Sequence, residues 1–175
     1  MKYKIIKKIF GSFRKKPCWN IRRGQWKSAI SFEFGKPTLK VFERKKNIIG
    51  KKPLLTRRTV VLSGEWHLMF DECAWRAFSG DKKIGDRRSR EIPDRVAYEF
   101  SGQALKEVII KPETGESIFL FDLGGRFETY PYENSEQWYL STPSGKYFSY
   151  RADGKYSYER GDVPIPEEAW KEFKV

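Results

Sequence analysis

Between Ser135 and Asp162 the chain reads SEQWYLSTPSGKYFSYRADGKYSYERGD, aromatic and polar residues in alternation, broken twice by a glycine turn. Successive side chains of a strand point to opposite faces, so a period of two specifies strands with one buried and one wetted face. Trp138 then shares a face with Leu140, Phe148 with Tyr150, and Tyr156 with Tyr158. Rings in such a pattern either line the inside of a sheet or form a platform on which nucleic-acid bases stack. The alternation assigns most of them to the core and leaves Tyr139 and Tyr147 as the candidate stacking residues.

The same rhythm runs through much of the chain. KSAISFEFG and PTLKVFE alternate around Gly35-Lys36-Pro37, and LLTRRTVVLSGEWHLMF follows the polar stretch RKKNIIGKK. In the latter, Trp66, Leu68 and Phe70 share one face, and His67, Met69 and Asp71 the other. After Gly102 the turns KPETGE, DLGGR, TPSGK and ADGK recur about every 10 residues, the spacing of an antiparallel meander. Asp153-Gly154 reads as a two-residue hairpin turn with positive φ at both positions. SGDKKIGDRRSRE, residues 79–91, reads as a polar loop.

Helical signals are few. At about 100° per residue, Ile5, Ile6, Ile9, Phe10 and Phe13 fall within an arc of about 140°, with Lys4, Lys7, Lys8 and Arg14 outside it. This predicts a basic amphipathic helix over Lys4–Phe13, which packs on its own domain, a partner's groove or a membrane surface. A second helix is expected over Pro93–Ser101, started by Pro93 and ended by Gly102. IPEEAWKEF adds a last helical turn begun by Pro166, with Glu167 and Glu168 at its positive end.

The expected fold is α+β, mostly antiparallel β. Residues 1–17 form the amphipathic helix, 18–78 a first β-meander half, 79–102 a loop and short helix, 103–160 a second half, and 161–175 a tail with the helical turn. The expected core includes Trp66, Leu68, Phe70, Phe119, Phe121, Trp138, Leu140, Phe148 and Tyr150. A faint repeat points to an internal duplication. Phe32-Glu33-Phe34-Gly35 before Leu39 resembles Phe121-Asp122-Leu123-Gly124 before Phe127, and Glu65-Trp66-His67-Leu68 resembles Glu136-Gln137-Trp138-Tyr139-Leu140.

Charge is distributed unevenly. Residues 1–60 hold 19 Lys+Arg against two acidic residues, Glu33 and Glu43, a net of +17; the other 115 residues carry −5, giving +12 for the chain. Such asymmetry either neutralises the acidic remainder within the fold or serves an anionic partner. The candidate partner- or phosphate-binding residues are Arg14, Lys15, Lys16, Arg22, Arg23, Lys45, Lys46, Arg57, Arg58, Arg87 and Arg88, interleaved with Phe13, Trp19, Trp26 and Phe42. Basic groups of this kind track phosphates and aromatics stack on bases, but no recognised nucleic-acid-binding signature accompanies them.

Composition narrows the chemistry further. With 39% hydrophobic and 16% aromatic residues the chain can build a core. Two cysteines make no disulfide framework, which fits a reducing compartment. No apolar run reaches the roughly 18 residues of a membrane span, and the basic start MKYKIIKKIFGSF lacks the apolar stretch of about 7 residues and the cleavage site of a signal peptide. A cytoplasmic protein of bacterial type is expected. His67 is the single histidine, so a multi-histidine metal site is excluded, and no cofactor or metal is expected. His67, Asp71 and Cys73 alternate onto one strand face and form a weak candidate site, because about 20 Å of extended strand separates its ends at about 3.3 Å per residue. A nuclease-like enzyme would pair His67 with an arginine and a glutamate such as Glu65. The glycines of GGR precede no helix and make no phosphate loop.

The landmarks SFEFG, LSGEWHL, SGQAL, FDLGGRFET, SEQWYL and YRADGKYS, spanning most of residues 18–158, resemble those of a set of small bacterial β-rich proteins with no assigned activity. As a class, small β-rich bacterial chains without catalytic motifs resemble the immunity proteins of polymorphic toxin systems. The charge split and the missing catalytic constellation point to a non-catalytic protein-binding module, such as an immunity protein or small inhibitor, whose basic third meets an acidic protein partner. The alternatives are an RNA- or DNA-binding module using the same patch, and an enzyme with chemistry near His67.

Overall fold

The computed structural model describes residues 2–23, 29–43, 58–88, 93–133, 135–161 and 163–174. In chain order these form α1 (Lys4–Gly11), β1 (Cys18–Arg23), β2 (Ile30–Phe34), β3 (Thr38–Phe42), β4 (Thr59–Ser63), β5 (Trp66–Phe70), β6 (Cys73–Ser79) and β7 (Lys82–Asp86). Then follow α2 (Pro93–Phe100), β8 (Leu105–Lys111), β9 (Glu116–Phe121), β10 (Gly125–Pro131), β11 (Glu136–Ser141), β12 (Lys146–Arg151) and β13 (Tyr156–Arg160). A 3-10 turn over Glu167–Ala169 follows Pro166, where the sequence places it.

The strands pair antiparallel, as the alternation demands. They form a six-stranded sheet in the order β1-β2-β5-β11-β12-β13, a five-stranded sheet β7-β6-β10-β9-β8, and a separate ribbon β3-β4. The architecture is α+β and mostly antiparallel β. The two large sheets meet through aromatic rings: Phe70 lies 5.0 Å from Phe119 and 4.5 Å from Phe127, and Phe32 lies 5.4 Å from Phe127. Trp138 packs edge-on to Phe119 at 5.2 Å and its indole N–H donates to Ser117 Oγ at 3.0 Å, which satisfies the one polar atom it takes into the core. Of the nine expected core residues, eight are buried and Trp66 is half-buried at the margin.

The apolar face of α1 closes this core. Ile6, Ile9 and Phe10 are buried, with Phe10 about equidistant from Phe119, Trp138 and Phe148. The helix spends its apolar stripe on its own domain, leaving its lysines exposed.

A register correspondence links the two parts of the chain. In β1–β2, Cys18 pairs Phe34, Arg22 pairs Ser31 and Arg23 pairs Ile30, with a bulge after Trp19. In β8–β9, Leu105 pairs Phe121, Ile109 pairs Ile118 and Ile110 pairs Ser117, again with a bulge near the start. One constant shift in numbering converts the first set into the second. The same shift carries Phe13 to Phe100, and each ring lies 4.9 Å from its own strand partner, Phe34 or Phe121. It also carries Pro17 to Ala104, and these two residues bridge each other antiparallel. A pair that exchanges with itself marks a pseudo-two-fold axis. Around it, α1-β1-β2-β5-β6-β7 corresponds to α2-β8-β9-β10-β11-β12, and in both the last two strands cross to join the opposite sheet, which β13 extends beyond β12.

Several details differ from the sequence expectations. Each large sheet draws strands from both sides of residues 79–102, since β5 pairs β11 and β6 pairs β10. The structural counterpart of Trp138 is therefore Trp75 on β6, not Trp66, and that of Phe32 is Phe119. The polar stretch 79–91 contains a strand, β7, which lies at a sheet edge and buries Ile84 and Gly85 while its lysines face solvent. At Asp153-Gly154 only the glycine has positive φ (+80°); Arg151 N–H bonds Lys155 O, making a three-residue loop. Both α-helices also end slightly earlier than expected, at Gly11 and Phe100.

Candidate functional site

The β3–β4 ribbon, like β13 at the other end of the chain, has no counterpart across the pseudo-two-fold. Where Asp122-Leu123-Gly124 joins β9 to β10, the chain between β2 and β5 departs into the ribbon. Opposed residues of an antiparallel pair share a face. The pairs Leu39–Leu62 and Val41–Val60 thus form one aliphatic side, with Lys40, Val61 and Phe42 on the other. The aliphatic side is uncovered: Leu39 is 70% exposed, Val60 57%, Val41 53% and Leu62 41%; on the other side Phe42 is exposed and Val61 half-buried. Five of the nine exposed large apolar residues in the described parts lie on this one ribbon.

Its base is tied down. Asn20 Nδ2 and an Arg22 guanidinium nitrogen each donate to Leu62 O at 3.2 Å, and Thr38 Oγ1 donates to Ser63 O at 3.1 Å. Further out, Arg58 and Glu43 form an exposed ion pair at 2.8 Å, which adds little stability in water.

Beside the base lies a buried carboxylate. Glu33, on the outward face of β2, is 1% exposed. Its Oε1 lies 2.9 Å from His67 Nδ1 and 3.3 Å from Arg22, and its Oε2 accepts the Gly64 N–H at 2.9 Å. Burial raises its pKa, but the bond and charge of His67, the Gly64 N–H and the charge of Arg22 outweigh burial and hold the carboxyl below its usual range. A carboxylate fixing one imidazole nitrogen is half of a general-base relay. Among the described residues the ring has no other hydrogen-bond partner, and none of them completes the relay.

The structure parts His67 from Cys73, while Asp71 stays beside Cys73. β5 ends at Phe70, the chain turns at Asp71, and Cys73 opens β6 in the other sheet, where burial, with the Asp71 charge adding to it, pushes its thiol well above the usual range. Asp71 is also raised, by burial and then by Glu72. Glu65 is not the partner of His67; it accepts the Lys36 N–H at 3.0 Å and pairs with Lys16 at 3.5 Å. Among the described residues no group of three His, Cys, Asp or Glu side chains is placed to hold a metal ion.

Tyr139 and Tyr147 lie on the outer face of the six-stranded sheet, half-buried and stacked on each other at 5.0 Å with 11° between planes. Burial pushes the Tyr139 hydroxyl up to about 12. Each ring therefore has one face already occupied.

The basic residues divide into groups. Lys16 and Arg22 converge on the ribbon base through Glu65, Glu33 and Leu62. Arg14 and Lys15 are exposed in the link from α1 to β1, where Lys15 adopts φ +75°, and Arg23 ends β1. Arg58 leads into β4. Arg87 and Arg88 follow β7 on the other sheet, the Arg87 guanidinium stacking on Tyr132 at 3.8 Å. Lys45, Lys46 and Arg57, with Trp26, lie outside the described residues. Sequence reasoning missed Glu33; the signal available was a carboxylate in SFEFG at an outward-facing position in a strand that the other residues make apolar.

Against protein-family models, curated proteins and solved structures alike, no match is found for this chain. Among the described residues no helix is long and apolar enough to cross a membrane.

Proposed function

We propose that the protein is a non-catalytic protein-binding module of bacterial type, acting in the cytoplasm in the manner of an immunity protein or small inhibitor. Its partner is a protein with an acidic surface. The observation that carries this reading is the β3–β4 ribbon, whose aliphatic side stands in solvent within the strongly basic third of the chain. Contiguous exposed apolar surface rimmed by polar groups marks interaction sites, and cations around it speed encounter with an acidic partner more than they deepen affinity.

The same cations suit a nucleic acid, but Leu39, Val41, Val60 and Leu62 would have no apolar counterpart on a phosphate backbone. Single-strand binders combine a basic groove with free aromatic faces, and the two candidate tyrosines are stacked on each other. The two free cysteines, both buried, agree with a reducing compartment.

The test is a pull-down with the tagged full chain from native-host lysate, with and without nuclease. One acidic protein retained after nuclease is the expected result, and its association should slow when Lys36 and Lys40 are changed to Glu, with dissociation little altered. Material lost on nuclease treatment overturns the reading in favour of nucleic acid. An activity that His67→Ala abolishes would move the protein to the enzymes.

A further inference from the structure

We infer that the outward edge of β3 is a strand-addition site for an extended acidic segment of the partner protein, an inference that rests on the protein-binding reading above. It follows from where the ribbon's backbone groups point. Leu62 O accepts from Asn20 and Arg22, so it faces away from β3. Residues opposed in an antiparallel pair either exchange both hydrogen bonds or turn both sets outward. Leu39, opposite Leu62, therefore turns its N–H and C=O away from β4, and Val41, two residues on and opposite Val60, does the same. Ser63 O, one residue along, points inward and takes Thr38 Oγ1, in phase with this alternation.

The two edges of the ribbon are not equivalent. At Leu62 the β4 edge is occupied by side chains of β1, whereas among the described residues β3 pairs with β4 alone. A two-stranded ribbon with an uncovered apolar side is marginal by itself, and a third strand is what makes such a unit stable. An added strand would take up the outward groups of Leu39 and Val41 and lay its own apolar residues beside Leu39, Val41, Val60 and Leu62. Main-chain bonds supply affinity in this mode and alternate side chains supply specificity.

Charge selects the occupant. Lys40 projects from the centre of β3 on the other side of the ribbon, Lys36 precedes the strand, and Glu43 beyond it is neutralised by Arg58. Alternating acidic and apolar residues in the incoming strand would put carboxylates beside Lys40. A second copy of β3 would instead oppose lysine with lysine, the device by which edge strands resist self-pairing. A bilayer offers the apolar side a medium but leaves open strand edges unsatisfied in hydrocarbon.

The test uses the full chain and a fluorescein-labelled heptapeptide alternating Glu and Val, with its Lys–Val counterpart as control, followed by fluorescence anisotropy. The expected result is binding of the acidic peptide alone, weakened by salt. Val41→Pro removes an outward N–H while keeping the β4 ladder and the charge, and should weaken binding about ten-fold or more, the loss of a backbone hydrogen bond and its register. Leu39→Ser with Leu62→Ser, which keeps every backbone group, should also weaken it and serves if the proline variant misfolds by circular dichroism. Equal binding by wild type and these variants, or equal binding of both peptides, overturns the inference. So does a dimer in sedimentation that Val41→Pro dissociates, which would make the occupant a second copy. In the nuclease-treated pull-down, an acidic partner retained equally by wild type and Val41→Pro overturns strand addition alone. No protein retained by wild type overturns the reading beneath it.

Discussion

The Glu33 carboxylate lies 2.9 Å from His67 Nδ1 with 1% of its surface open to solvent. A buried carboxylate is tolerated where hydrogen bonds and opposite charge replace its water, and here His67, Arg22 and the Gly64 N–H do so. Its folded pKa is lowered, so the stabilisation is complete above the unfolded carboxylate range and is lost as pH falls through the folded value. Urea titrations should show wild type losing stability on acidification more steeply than Glu33→Gln. His67→Ala should cost about 1–3 kcal/mol at pH 7 by leaving the carboxylate short of a partner. Parallel pH profiles for wild type and Glu33→Gln would remove Glu33 from the acid transition.

At the crossover from β5 to β6 the balance is reversed. Glu136 is raised by burial and by the charges of Glu72 and Asp71. A carboxyl whose folded pKa is raised favours the fold below its unfolded pKa and loses that contribution as pH climbs through the folded value. Glu136→Gln should therefore raise the thermal midpoint at pH 7 and leave it unchanged near pH 4. The scale is about 2–4 °C per kcal/mol for a chain of this size. An equal shift at both pH values would point to packing instead of charge.

Phe13 and Phe100 occupy corresponding places, each fully buried and 4.9 Å from Phe34 or Phe121. Their other neighbours differ: Phe13 stacks on Trp66 at 5.0 Å and packs on Phe10, whereas Phe100 packs on Phe32 and Phe127 and approaches the backbone of Gly125, where a Cβ would meet its ring at 3.0 Å. Truncating either to alanine should cost about 3–5 kcal/mol, with the two values agreeing to about 1 kcal/mol. Denaturant unfolding measures both. A negligible cost at either position would remove it from the core.

The period of two made the strands and their inward faces readable, because it follows from backbone geometry at each residue; Trp138, Leu140, Phe148 and Tyr150 are buried as the alternation requires. The pairing order was not readable. Whether β5 continues beside β2 or crosses to the other sheet is decided by long-range packing, and the local likeness of Glu65-Trp66 to Glu136-Gln137-Trp138 linked strands that the fold does not equate. The correspondence that the structure reveals, Phe13 with Phe100 and Phe34 with Phe121, rests on phenylalanines at a fixed spacing with little else in common. β7 was hidden because an edge strand buries only Ile84 and Gly85, too little to leave a hydrophobic period. The ribbon read as ordinary strand, since TLKVF and TVVLS alternate or run apolar whether or not anything covers them. Its exposure is a property of the fold.

If the ribbon is an addition to a sandwich whose paired strands are related by the pseudo-two-fold, the sandwich should survive without it. In the second part of the chain a turn of Asp122-Leu123-Gly124 is enough to join β9 to β10, and Phe34 and Trp66 stand where Phe121 and Gly125 stand there. Replacing residues 35–65 with that three-residue sequence removes no member of the two large sheets. It does remove the Gly64 N–H from Glu33, the Leu62 carbonyl to which Asn20 and Arg22 donate, and the Lys16 partner Glu65, a cost of about 1–3 kcal/mol for the first and little for the exposed others. The shortened chain should fold cooperatively with unchanged near-ultraviolet aromatic circular dichroism, since Trp75 and Trp138 keep their surroundings, while losing all capture of the partner. Loss of the aromatic signal would mean that the ribbon is part of the core's support, and its exposed aliphatic side would then need a structural explanation.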